Sequence, residues 1–334
     1  MNARKTTAQI FINQTDVTKD LSPFLREVRY VDNLSGAADT IELQLTDVEK
    51  LFIKDWAIER GSTLAVTLIK QNWNDEEETL KLGEFECDEI EFSTPPSVMR
   101  VKANSIPDSS YLRQQDESKS FEHVKLSKIA QDIADAAQME LFFEASDDPE
   151  IDRAEQGEQS NLSFLENLCR KNYLALKVSD NQIIIFDEKK LDEAEPVLTI
   201  RAGDAILKKI SIKATLTEIY KSCEVNYQHS KHAEKYSAKI EDPTKETGKI
   251  LKINRKVNSQ AEAEKLAENE LREKNKKENT LTLNCTGNFA LVAGNVLELK
   301  DFGVFDGNFL IEKATHTIGS GYEVRVECRK CLNA

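Results

Sequence analysis

No stretch of this 334-residue sequence is apolar over the roughly 20 residues that a membrane-spanning helix requires. Its first residues, Met-Asn-Ala-Arg-Lys-Thr-Thr-Ala-Gln, lack the apolar core of an export signal. Stable membrane insertion is not expected, and synthesis in the cytoplasm is. Concentrated blocks of Lys and Arg are missing as well: the formal net charge is −14, which argues against specific or general binding to nucleic acid. The six cysteines, at 87, 169, 223, 285, 328 and 331, are scattered through strand-like and helix-like segments where a thiol acts as a small buried hydrophobe, so no disulfide framework is expected. None of the patterns G-x-S-x-G, H-E-x-x-H, G-x-G-x-x-G or the phosphate loop occurs. These gaps remove the commonest catalytic and cofactor-binding plans and leave a structural role untouched.

What is present is ordinary globular material: 40% hydrophobic and 31% charged residues, enough chain for two or three cores. From Gln9 to Ser105 the reading is β. Segments 8–12, 25–31, 40–45, 63–69, 80–92 and 99–103 are β-branched and partly alternating, with turn chemistry between them at Asn13–Asp16, Asn33–Gly36, Gly61-Ser62 and Pro95-Pro96. The acidic run Asp75–Glu78 reads as a solvated hairpin loop. The period then changes. Leu126, Ile129, Ala130, Ile133 and Ala137 make a helical stripe predicted over 120–138 with Ser120 as cap, 139–145 returns to strand, and 146–158 reads as an acidic loop.

The segment Gln159–Phe186 is the most consistent locally. Leu162, Leu165, Leu168 and Cys169 stripe a short helix behind a cap at Ser160 or Asn161. Asp180-Asn181 then turns between apolar strands at 174–178 and 183–186. After Pro196 the β reading resumes at 206–212, 218–227 and 249–253. Ser259 and Glu262 open a helix to about Lys277 with a thin apolar face, Ala263, Leu266, Ala267 and Leu271, predicted to lie on a surface with most of its circumference wet.

The C-terminal residues repeat the first β region. Trp56–Val66 lies over Phe289–Leu299 with Gly61 on Gly294, Gly83-Glu84-Phe85 over Gly307-Asn308-Phe309, and Met99-Arg100-Val101 within one residue of Val324-Arg325-Val326. Three copies of a chain holding two similar modules present six quasi-equivalent units about one axis. The expected architecture is mainly β with an α+β insertion: a first β module over 1–112, an insert of helix and hairpin over 113–195, and a second β module over 196–334 carrying the surface helix.

Gln159, Phe164 and Leu165, with the hairpin behind them, resemble the "Q-x-n-x-x-x-F-L-x-x-L" segment of the phage late-control gene D family. The run Gly287, Gly294, Gly303, Gly307, Phe309, His316, Gly321 and Tyr322 resembles that family's C-terminal pattern, and Gly319-Ser320-Gly321 keeps the glycines of its last turn. Two positions depart from the family pattern: Ser163 stands for an acidic residue, and Asn172-Tyr173 for a glycine. The resemblance, over most of residues 8–330, implies a tail-tube-like split β-barrel fold used twice and a homotrimeric, pseudo-hexameric baseplate hub. Such a hub joins a tail tube protein to a separate spike protein among other baseplate proteins of the virion, and DNA crosses its channel without specific binding. No cofactor, metal or catalytic residue is implied.

Candidate chemistry is sparse. His229 and His232 have no acidic or Cys partner at a metal-binding spacing. Cys328-Arg329-Lys330-Cys331 is a lone C-x-x-C, read as a frayed terminus. His316 is read as a hydrogen-bonded structural histidine. The alternative to a structural hub is a tail-associated peptidoglycan hydrolase using the dense carboxylates Asp147, Asp148, Glu150 and Asp152.

Overall fold

The computed structural model describes residues 4–73, 77–108, 110–113, 118–228 and 235–332. Asp75, Glu76, His229 and His232 lie outside those residues. The first strands are β1 (Lys5–Ile12), β2 (Thr15–Asp16), β3 (Leu25–Asn33), β4 (Thr40–Thr46), β5 (Thr63–Gln71), β6 (Glu78–Ser93) and β7 (Val98–Asn104), with the one-turn α1 (Thr18–Leu21) between β2 and β3. Every second side chain of β4 and β5 is buried, Ile41, Leu43 and Leu45 in one, Leu64, Val66 and Leu68 in the other. That is the period of a sheet with one face on a core.

The next elements are β8 (Lys119–Lys125), α2 (Leu126–Ala137), β9 (Glu140–Glu144), β10 (Glu150–Gln156), α3 (Asn161–Lys171), β11 (Ala175–Ser179), β12 (Gln182–Phe186) and α4 (Glu188–Asp192). Two expectations fail here. Ser120 caps no helix, because it lies in β8. Helix α2 begins at Leu126, where the apolar stripe itself begins, and Asp148 satisfies its first turn by accepting from Ser127 N at 3.0 Å and Ser127 Oγ at 2.7 Å. The supposed acidic loop contains β10, antiparallel to β8, whose charges face solvent while Ile151 and Ala154 are buried. The helix and hairpin form as read. Ser160 Oγ accepts from Ser163 N at 3.2 Å, and Asp180 and Asn181 take φ values of 50° and 59° in the turn. With β9 parallel to β12, these elements enclose a core that includes Leu126, Ile129, Phe164, Leu165, Ile183 and Ile185.

The chain continues through β13 (Leu198–Arg201), β14 (Leu207–Ala214), β15 (Tyr220–Gln228), β16 (Lys235–Glu241), β17 (Lys249–Ile253), α5 (Gln260–Asn275), β18 (Asn279–Thr286), β19 (Val296–Lys300), β20 (Gly307–Ile318) and β21 (Tyr322–Lys330). Strands β15, β16 and β17 make a small sheet of their own, and α5 packs on it through Ala263, Leu266, Ala267 and Leu271. The helix is less wet than expected, since Asn269 and Asn275 are buried too. Asn275 Nδ2 donates to Tyr220 O at 2.9 Å and its Oδ1 accepts from Tyr220 N at 3.0 Å, so these polar groups act as a clamp onto β15.

The remaining strands join one 13-stranded sheet. Within it β3-β4-β7-β6-β5-β1 and β14-β18-β21-β20-β19-β13 follow the same order. Two irregularities recur as well, while the one at Ala65–Thr67 between β5 and β6 has no counterpart between β19 and β20. Leu25 faces Leu45 and, after a bulge, Glu27 faces Gln44; Leu207 faces Cys285 and, after a bulge, Lys209 faces Asn284. The bulge between Cys87 and Glu89 on β6 returns between Ile311 and Lys313 on β20. Gly61 N donates to Cys87 O at 2.7 Å as Gly294 N donates to Ile311 O at 2.9 Å, and both glycines hold φ near +90° (+85° and +92°). A side chain at either position would be strained. Bulges are local features that random strand packing does not place twice at matching positions, so the two sets are copies of one plan. They differ at the last strand: β1 runs antiparallel to β5, β13 parallel to β19.

Candidate assembly surface

Inside the chain the two strand sets are joined edge to edge. Beyond its bulge β20 pairs antiparallel with β3, Lys313 facing Asn33, His316 facing Tyr30 and Ile318 facing Val28. The joint runs past the strand end. Leu34 N donates to Glu312 O at 2.9 Å, and the Leu34 side chain is buried against Val296 and Leu310.

An ionic cluster fixes the helix-hairpin unit to that joint. Lys177, on β11, places Nζ 2.5 Å from Asp32 Oδ1, 3.1 Å from Asp39 Oδ2 and 2.8 Å from Asn33 O, while Asp32 Oδ2 accepts from Ala293 N at 2.8 Å. Burial works to strip the Lys177 proton, and the two carboxylates outweigh it and hold the ammonium charged; burial pushes the Asp39 carboxyl up against Lys177's opposing pull. A second cluster centres on Arg329, fully buried on β21, with Nη1 2.7 Å from Asp192 and Nη2 3.3 Å from Glu188; Arg272 of α5 also pairs with Asp192. These charges bind four elements, α4, α5, β20 and β21, because Glu312 lies 3.5 Å from Arg329 Nε. Sequence reasoning missed both clusters. Lys177 alternates with buried Leu176 and Val178 like any solvent-facing residue, and its partners are far off in sequence.

The residues of the family pattern fall in two places. Gln159, Phe164 and Leu165 lie at α3: Gln159 Oε1 accepts from Asn167 at 3.3 Å, Phe164 stacks on Phe121 at 5.6 Å between ring centroids, and Leu165 is buried. Gly287, His316 and Tyr322 converge on one face of the second strand set. His316 Nδ1 is 2.8 Å from Tyr322 Oη, and Gly287 leaves room for the Tyr322 ring, which a Cβ there would meet at 1.8 Å. Gly294, Gly303, Gly307 and Gly321 are spread along turns and strand ends near β19, β20 and β21.

Little here resembles a reaction centre. No three His, Cys, Asp or Glu groups among the described residues are placed to hold a metal. Of the dense carboxylates, Asp147 is 2.6 Å from Lys265 and Asp148 caps α2. Glu150 and Asp152 line an open cleft of about 670 Å³ with Arg153, Lys171 and Glu262. The terminal C-x-x-C is not frayed: Cys328 is buried in β21, where burial pushes its thiol up, and Cys331 N donates to Asn308 O at 2.8 Å.

This duplicated strand set, joined through strand edges, matches the folds of solved phage tail proteins. The chain belongs to the YQBQ-like family, whose model matches residues 100–327. No curated protein matches it in sequence. Among solved structures it is similar to a tail protein of Neisseria meningitidis MC58, with TM-score 0.72 and 10% identity over 97% of this chain and 96% of that one. The 43 kDa tail protein of prophage MuSo2 from Shewanella oneidensis gives TM-score 0.73 and 12% identity over 97% and 98%. The E. coli c3393 protein, described as a type VI secretion component similar in structure to T4 tail proteins gp27 and gp5, gives 0.58 and 12% over 98% and 76%.

Proposed function

We propose that this protein is a structural baseplate hub of a contractile phage tail or related injection system, akin to the late-control gene D proteins. Three copies form a pseudo-hexameric ring, assembled in the bacterial cytoplasm, that seats the tail tube on one face and a separate spike on the other. The duplicated strand order, with bulges repeated at matching positions, carries this reading. Two copies of one plan per chain let three chains present sixfold-like contacts to a tube and threefold contacts to a spike. The fold shared with solved tail proteins supports it.

The test is particle mass in solution, for the purified chain alone and with its spike. A trimer in either condition is the expected result, and a monomer in both contradicts it. Release of soluble muropeptides from peptidoglycan, lost in Glu150→Gln and Asp152→Asn variants at the open cleft, would replace the hub with a hydrolase.

A further inference from the structure

The internal joint has an unmated counterpart. In the second strand set, β20 beyond Ile311 is covered by β3. In the first set, the same part of β6 has β7 on one edge and, among the described residues, no strand on the other. A groove of about 430 Å³ lies there, lined by Ile58, Glu59, Arg60, Asp88, Glu89 and Ile90. The counterpart of β3 is β14, which ends the sheet with its outer edge open among the described residues.

The matched bulges fix residue equivalence. Tyr30, Asp32 and Leu34 correspond to Ile212, Ala214 and Leu216, while Lys313, Thr315 and His316 correspond to Glu89, Glu91 and Phe92. Leu34 is 6% exposed because β20 and β19 receive it, and Leu216 is 82% exposed.

We propose that β14 and Leu216 of one copy of this chain dock along the free edge of β6 in a second copy, antiparallel and in the register of the internal joint. This rests on the ring reading and names the surfaces that close the ring. The register sets Ile90 opposite Ala214, Glu91 opposite Lys213 and Phe92 opposite Ile212. Ile90, Phe92, Ile210 and Ile212 are half-buried on the core side of their own sheets, and pairing covers what remains. On the solvent side Glu91, held 3.0 Å from Arg100, meets Lys213, so the pair attracts where like charges would repel. Leu216 N donates to Asp88 O, as Leu34 N does to Glu312 O, and its side chain lies over Thr63 and Glu86, the counterparts of Val296 and Leu310, beside the groove. An open strand edge is a template for pairing, and the two edges here differ in sign and shape. The contact is therefore head-to-tail, and such contacts propagate until the rotation closes.

The experiment is disulfide trapping in the full-length chain, alone and with its spike, read on non-reducing gels beside the mass in solution. Glu91→Cys with Lys213→Cys is expected to give intermolecular dimers and closed trimers on mild oxidation. Glu91→Cys with Lys209→Cys, out of register on the same strand, is expected to give at least tenfold less. Leu216→Asp is expected to abolish trapping by the first pair while leaving circular dichroism unchanged, since the residue is solvent-facing in the single chain. A trimer by mass without selective trapping at 91 and 213 overturns this pairing and leaves the ring reading standing. A monomer in both conditions overturns both.

Discussion

Lys177 on the hairpin strand β11 sits 2.5 Å from Asp32 on β3, two residues far apart in sequence joined at a largely buried site that also holds Asp39. The contact does more than add an ion pair. Asp32 also receives the Ala293 N–H from the loop ahead of β19, so one carboxylate ties the first strand set, the second strand set and the helix-hairpin unit. Replacing Lys177 by Met leaves two buried carboxylates uncompensated, and breaking such a pair from one side costs about 3–5 kcal/mol. The expected outcome is a lowered urea midpoint for Lys177→Met and a much smaller change for Lys177→Arg, measured by tryptophan fluorescence. Equal midpoints for wild type and Lys177→Met would show that the cluster is not a keystone.

Histidine 316 gives a pH signature. Burial lowers its pKa from 6.5 to about 4, against the opposing pull of Asp32. The unfolded chain therefore takes up this proton first as pH falls. The contribution of neutral His316 is complete above pH 6.5 and is lost progressively down to about pH 4, on the order of 3 kcal/mol over the window. Denaturation midpoints at pH 7 and pH 5 are expected to fall less in His316→Gln than in the wild type. An identical drop in both proteins would remove His316 from the account.

Gly287 and Tyr322 form a steric pair. A methyl group at 287 would lie 1.8 Å from the Tyr322 ring, inside contact distance of a group packed among Trp73, Phe289 and His316. Overpacking of this kind costs about 1–3 kcal/mol. Gly287→Ala is expected to destabilise by that amount in the native background and by distinctly less in Tyr322→Ala, a coupling that a double-mutant cycle by denaturation reads directly.

Helix α2 owes its start to a residue beyond its own chain end. Asp148→Ala removes the acceptor for both Ser127 groups and is expected to cost about 1 kcal/mol, the usual value of a lost cap. Ser120→Ala is expected to leave stability unchanged, which separates the observed cap from the one that sequence pattern suggests.

What could be read in advance followed from period and from φ. Alternation in 40–45 and 63–69 marks strands whatever the tertiary context, and Gly61 and Gly294 stand where a left-handed residue is needed, so the repeat showed through at about the right register. Asp180-Asn181 declared the hairpin for the same reason. The strands β8 and β10 did not show, because they are two charged, weakly alternating segments that are stable only as each other's partner. The Lys177 and Arg329 clusters were hidden for a different reason: a buried charge and an exposed one look alike until the fold brings the counter-ion from far along the chain. The open edges of β6 and β14 were legible only after the bulges of the two strand sets could be compared, since an open edge is a property of the sheet and not of any one segment.

The claim on which the account turns is closure of three copies into one ring. Top views of the purified chain with its spike, recorded by electron microscopy and analysed for rotational symmetry, test it most directly. Closed threefold particles whose outline divides into six near-equal lobes, one for each strand set, are expected. Twofold particles, or open head-to-tail chains of varying length, would contradict it.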